Sequence, residues 1–185
     1  MAYVGLRHII MAPWTKDNTY GQKFGFGKAI GLQITPNYAE GSLFADDKQA
    51  EYDKEFSYAD VTLNTNTIPT EAHTTMFGHS KATDTEEIMY KSGDQSAYVG
   101  MAWISVEKVD GVRKFIGNFI YKVKFSEPSE DYATKGESIE YKTPSISGRA
   151  IAQDDEQWKA VEKFDTEEAA KEWINTKFGN AAQAA

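Results

Sequence analysis

Residues Tyr98–Phe125 read YVGMAWISVEKVDGVRKFIGNFIYKVKF, two apolar-rich runs divided by Asp110-Gly111. An Asp-Gly pair suits the positive φ angles of a two-residue turn, so the stretch predicts a long antiparallel hairpin. In the second run, parity sets Phe115, Phe119, Tyr121, Val123 and Phe125 on one face and Lys114, Asn118, Lys122 and Lys124 on the other. That is the pattern of a half-buried strand. After a polar loop, ESIEYKT (137–143) and SISGRAIA (145–152) predict two shorter strands parted by Pro144, which cannot donate a ladder hydrogen bond. Gln157–Phe164 adds a further candidate strand.

Upstream, Val4–Ala12, Ala29–Thr35 and Phe56–Asn66 are rich in β-branched or aromatic residues between turn signals, which makes the fold mainly β. Two helices interrupt it. Pro69 suits a first helical turn, Ile68, Ala72 and Met76 recur every four residues, and Gly78 suits the stop. The second helix covers Thr166–Phe178, with Asp165 as N-cap, Glu168 in the capping-box position, Gly179 at the C-terminal end, and Ala170, Trp173, Ile174 and Phe178 as its apolar side. The expectation is a β-sandwich or barrel-like domain over residues 1–179, flanked by one helix and carrying one short helix, with a flexible tail at 180–185.

Composition bounds the function. With 185 residues, 41% hydrophobic and 13% aromatic, the chain suits one domain with a real core. It has no cysteine, so a disulfide framework and a thiolate metal site are excluded and a reducing compartment is natural. No run approaches the roughly 18 apolar residues of a membrane span, and nothing marks export. A net charge of -8 with only three arginines disfavours tight binding of nucleic acid.

No catalytic constellation stands out. Gly21–Lys28 (GQKFGFGK) fails as a phosphate loop, because five residues separate Gly21 from Gly27 and alanine follows the lysine. His73 and His79 are six apart and lack the i,i+4 spacing of helix-borne metal ligands; His8 stands alone. Glu127 and Glu130 lie in an open polar loop where nothing raises a carboxyl pKa. The aromatic face at Phe115–Phe125 reads as core before it reads as a ligand cavity. The segment Tyr38–Asp60 stands apart, with seven acids (Glu40, Asp46, Asp47, Glu51, Asp53, Glu55, Asp60) against Lys48 and Lys54. It reads as a long acidic loop, about residues 38–55, in which the embedded Leu43 and Phe44 argue for docking on something. Its carboxylates lack the spacing of a calcium loop and read as a solvated charge run.

Several elements together resemble the major tail proteins, or tail-tube proteins, of long-tailed non-contractile bacteriophages and prophages of Gram-positive bacteria. They are Phe-Ser-x-Pro-Ser-Glu at Phe125–Glu130, Thr134-Lys135-Gly136 and Ile-Glu-x-x-Thr-Pro at Ile139–Pro144. VGLRHIIMA at Val4–Ala12, LFADD at Leu43–Asp47, VTLNTNTIPTEAHTTMFGH at Val61–His79 and the Tyr98–Phe125 hairpin agree with them, so the likeness spans roughly residues 3–165. The closing segment from Asp165 is less recognisable, and no immunoglobulin-like domain is appended. The resemblance implies a virion tail component assembled in the bacterial cytoplasm, without enzymatic activity or cofactor. Hexameric rings would stack into a hollow tube through which genomic DNA passes without specific binding. Its partners would be other copies of itself, a tape-measure protein, a tail terminator and distal tail proteins, with no membrane involved. It further implies that the acidic segment reaches a neighbouring subunit, with Leu43, Phe44, Asp46, Asp47 and Tyr52 as candidate interface residues, and that the polar strand face at Lys114, Asn118 and Lys122 lines the lumen. The rivals to this reading are the tube of a tail-derived bacteriocin or contractile apparatus, a monomeric barrel binding a small apolar ligand, and a virion-borne glycan hydrolase, which would need two carboxylates about 5 to 10 Å apart in a cleft.

Overall fold

In the computed structural model, which describes residues 2–15, 19–45, 47–109, 111–132, 134 and 143–179, the predicted hairpin is the spine of the molecule. Its strands β7 (Tyr98–Val109) and β8 (Val112–Phe125) pair antiparallel from Val109 opposite Val112 to Tyr98 opposite Lys124, and Gly111 takes φ +84° in the turn. On the far side of β7 lies β1 (Ala2–Pro13), edged by the short β2 (Phe24–Gly25). The other edge of β8 is shared: β10 (Lys159–Phe164) follows Phe115–Ile120, and β9 (Ser145–Ala150) takes over at Val123–Phe125. From β9 the sheet continues through β4 (Lys48–Thr65) to β3 (Ala29–Ala45). β1 and β3 come close without pairing, so the sheet curls over itself in a sandwich-like way. A two-stranded ladder of β5 (Ser80–Lys81) and β6 (Ile88–Met89) stands apart. The fold is mainly β, as its sequence predicts.

Both faces of the spine are buried, and a bulge decides which residue goes where. Between Val99/Val123 and Met101/Ile120 the register slips, so β8 uses three residues where β7 uses two. Before the slip, Phe115, Phe119 and Tyr121 pack with Ala102 and Ile104 under helix α2 (Glu167–Lys177). Beyond it, Val123 and Phe125 join Ile120, Met101 and Trp103 in the larger core inside the curl, which α1 (Thr70–Thr75) and the residues just after it close with Ala72, Met76 and Phe77. The single aromatic face expected for Phe115–Phe125 is therefore split between two cores. A strict alternation cannot survive an extra residue, because the side-chain period is two.

Two further expectations are corrected. Thr166, not Asp165, caps α2: its hydroxyl accepts the Ala169 amide at 3.2 Å, while Asp165 turns away to pair with Lys114. The expected acidic loop is strand. β3 and β4 remain paired out to Ala45 opposite Lys48, so residues 38–55 form a two-stranded arm in which each strand pairs along one edge and leaves its other edge open to water. The expected strand at 137–143 lies almost wholly outside the described residues, as does the tail at 180–185.

Candidate functional site: a two-faced arm and a row of cations

β9 accompanies β4 only from Ala59 to Asn64. Past that point β3 and β4 have no other strand partner, Phe56 at the base still stacking on Trp158 at 4.7 Å, and the arm from about residue 36 to residue 58 extends roughly 30 Å at the usual rise per strand residue. A two-stranded ribbon with no third strand or packed helix is marginal in water. This one nevertheless exposes large apolar groups: Leu43 is 57% and Phe44 67% exposed, and Tyr38 and Tyr52 are about half exposed. Exposed aromatic and aliphatic side chains concentrated on one thin element mark a contact surface.

The register gives the arm two unlike faces. Directly opposed residues point the same way, and the pairs Leu43/Glu51, Gly41/Asp53 and Ala39/Glu55 place three carboxylates two residues apart on one face. The other face carries Tyr38/Phe56, Glu40/Lys54 and Ser42/Tyr52. There the charge is neutralised locally. Lys54 Nζ lies 2.8 Å from Glu40 Oε1 and 4.5 Å from the centroid of the Tyr38 ring. The Lys54 ammonium, hydrogen-bonded to Glu40, holds that carboxyl below its ordinary range, and the same bond raises Lys54. One face is thus acidic and uncompensated, and the other is aromatic with its charges paired.

Of the five interface candidates, Leu43 lies on the acidic face opposite Glu51, Tyr52 belongs to the aromatic one, Phe44 lies beside the tip, and Asp47 forms the turn with φ +59°. Asp46 lies outside the described residues. The three polar candidates of β8 are not brought together. Lys114 pairs with Asp165. Asn118 is buried inside the curl, donating to Ser105 Oγ at 3.1 Å and to the Ile116 carbonyl at 3.0 Å. Lys122 lies beyond the bulge and so emerges on the opposite face of the sheet.

That opposite face carries a feature not visible in the chain order. Where α2 ends its cover, Tyr98, Lys124, Arg149 and Asp60 stand side by side across β7, β8, β9 and β4, each directly paired with the next. Lys122 joins them, its Nζ 3.9 Å above the Trp14 ring and 4.8 Å above Tyr98; Lys124 Nζ is 5.5 Å from Tyr98. Arg149 stacks on Tyr58 with Cζ 3.8 Å from its centroid. Asp60, the one acid of the row, accepts from Asn37 Nδ2 at 2.9 Å through one oxygen and pairs loosely with Arg149 through the other, 3.7 Å from Nε, which leaves the two lysines of the row uncompensated. Among the described residues neither Lys122 nor Lys124 meets a carboxylate within salt-bridge distance. An open hollow of about 500 Å³ lies beside Lys124 and Arg149, lined as well by Asp60, Tyr98, Ser126 and Ser147. Cations held over rings in a polar hollow are suited to receiving carboxylates.

The histidines form a smaller constellation. His79 is buried, with Nδ1 2.8 Å from Asp94 Oδ2, Nε2 3.3 Å from Glu127 Oε1, and the Tyr90 ring 4.1 Å away. Among the described residues no group of three or more His, Asp or Glu side chains is placed to hold a metal ion, and none of the described helices is long and apolar enough to cross a membrane.

No protein-family model matches the chain, and no curated protein does. Among solved structures it is similar to the tube-terminating cap of an anti-feeding prophage, seen by cryo-electron microscopy, at 12% identity. That likeness covers 85% of this chain and 89% of the cap with a TM-score of 0.41, a loose correspondence that says nothing about what this chain does.

Proposed function

We propose that the chain is a self-assembling structural subunit of a bacteriophage-type tail tube, in the manner of the major tail proteins its sequence resembles. The observation that carries this is the arm: a ribbon with no third strand, exposing Leu43, Phe44, Tyr38 and Tyr52, has its natural complement on another protein surface. The Phe125–Glu130 and Ile139–Pro144 elements support the same reading from sequence. In that role the chain is structural and not an enzyme. Copies close into hexameric rings that stack into a hollow tube, built with a tape-measure protein, terminator and distal tail proteins in the host cytoplasm, and the tube conducts DNA without gripping it. A net charge of -8 is in keeping with a conduit that repels phosphate.

The test is negative-stain electron microscopy across a concentration series, alone and with a tape-measure partner, paired with mass by light scattering. Rings or striated tubes are expected. Deleting Gly41–Glu55 and closing the shortened hairpin with a tight turn is expected to leave a folded monomer. A monomer of the intact chain under every condition would overturn the assignment, and normal tubes from the deletion variant would remove the arm from it.

A further inference from the structure

We propose that the cation row Lys122–Lys124–Arg149 is the receptor for the acidic face of the arm of a second copy of this chain. The inference rests on the self-assembly reading and adds to it a defined pair of surfaces.

The argument is one of charge and spacing. Residues 40–55 hold six acids against two lysines, and pairing Glu40 with Lys54 leaves Glu51, Asp53 and Glu55 on a face with no cation opposite them. Along a strand these carboxylates recur about every 6.8 Å, and Lys122 and Lys124, also two residues apart on one strand, repeat at a similar interval. Arg149, directly across from Lys124, widens the row by one strand. Pre-positioning favours the contact as well, since the two ammoniums and the guanidinium are already seated on Trp14, Tyr98 and Tyr58 and lose little freedom on binding.

A chain cannot satisfy itself this way. The row sits at the arm's own root, where Arg149 is paired with Asp60, while Glu51 lies nine residues farther along the extended ribbon. The carboxylates of one copy must therefore reach the row of another, and a contact between two different patches is heterologous, the kind that closes rings or propagates stacks. Leu43, on the same face as Glu51, adds an apolar anchor beside the charges.

The experiment uses the full chain. Reversing the row with Lys122→Glu, Lys124→Glu and Arg149→Glu is expected to raise the concentration needed for assembly at least about tenfold, and reversing the arm with Glu51→Lys, Asp53→Lys and Glu55→Lys to do the same. Combining the two sets should bring assembly back to within about threefold of the natural chain, a recovery that repaired folding cannot produce. A photo-crosslinking amino acid at position 43 of the otherwise natural chain should join residues 122–126 or 147–151 of another copy. Crosslinks to a different surface, or a row-reversed variant that keeps its fold by circular dichroism and assembles normally, would overturn the receptor while leaving self-assembly intact. Absence of any intermolecular crosslink, with a monomer at every concentration, would overturn both.

Discussion

Trp173 lies directly over Gly117, with ring atom Cε3 2.8 Å from where a Cβ on that glycine would stand. The indole is the contact by which α2 seats on β8, and Phe164 closes the same space from β10 at 3.3 Å. Gly117→Ala is therefore expected to push α2 off the sheet and cost about 1 to 3 kcal/mol, the usual range for overfilling a packed site. Chemical denaturation of the variant checks this, and the double variant Gly117→Ala/Trp173→Leu should recover part of the loss.

Tyr20 ties the other end of that interface. Its hydroxyl donates to the Tyr121 carbonyl at 2.8 Å, and its ring meets Phe119 and Phe178 edge-on. Burial raises the phenol far above its ordinary value of 10.0. A raised folded-state value means that the contribution is complete below pH 10 and fades as pH climbs above it. The natural chain should thus lose stability above pH 10 more steeply than Tyr20→Phe. The difference is at most about 1.4 kcal/mol per pH unit, and less for the part of the ring that meets water. Unfolding midpoints of the two proteins from pH 8 upward, at about half-unit steps, give the comparison.

Asp94 carries the opposite sign. The hydrogen bond from His79, aided by the Lys91 amide at 2.9 Å, holds its carboxyl below the ordinary 3.8. A depressed carboxylate contributes stability above 3.8 that is lost as pH falls through its folded-state value. Asp94→Asn should accordingly have a lower Tm than the natural chain at neutral pH, and the gap should narrow in acid below about pH 4. A Tm difference independent of pH would refute the ionic part of this bond.

Amide hydrogen exchange should resolve the arm from the sheet. In the monomer, the amides of 38–55 that face the β3–β4 ladder are expected to exchange much faster than those of Ala59–Asn64, which β3 and β9 hold on both edges. In assembled material the arm should become protected. Equal protection of the two stretches in the monomer would mean that the ribbon is stable unaided.

The spine was legible through its Asp110-Gly111 turn signal between two long apolar-rich runs, and the helices and β10 because each buries one side, as the apolar spacing of Ala170, Trp173 and Ile174 and the run Lys159–Phe164 record. The arm was not legible as strand. Burial is what writes alternation into a sequence, and residues such as Glu40, Gly41 and Ser42 are exposed on either face, where the backbone ladder and a surface ion pair such as Glu40–Lys54 leave no apolar periodicity. The bulge was hidden for a related reason: Tyr121 and Lys122 continue the written alternation of aromatic and lysine even though the facing strand has changed register. Its partner Gly100 was the available hint, since a Cβ there would strike the Tyr20 ring at 2.4 Å. The cation row joins Lys122 and Lys124 of β8 to Arg149 of β9, more than twenty residues on, so no local motif announces it, although Lys122 and Lys124 were readable as a pair. Asp165 and Thr166 are both good caps, and Lys114 across the sheet decided between them.

The bulge also makes one strand into two independent hinges of variation. Substitutions at Phe115, Phe119 and Tyr121 of β8 touch the helix-covered layer and those at Asn118 and Ile120 the inner core, whereas beyond the bulge Lys122 and Lys124 retune the open surface and Val123 and Phe125 the inner core. A single inserted or lost residue at Tyr121-Lys122 would exchange these allegiances along half the strand at once, so this short dipeptide is where the chain tolerates substitution but not a change of length.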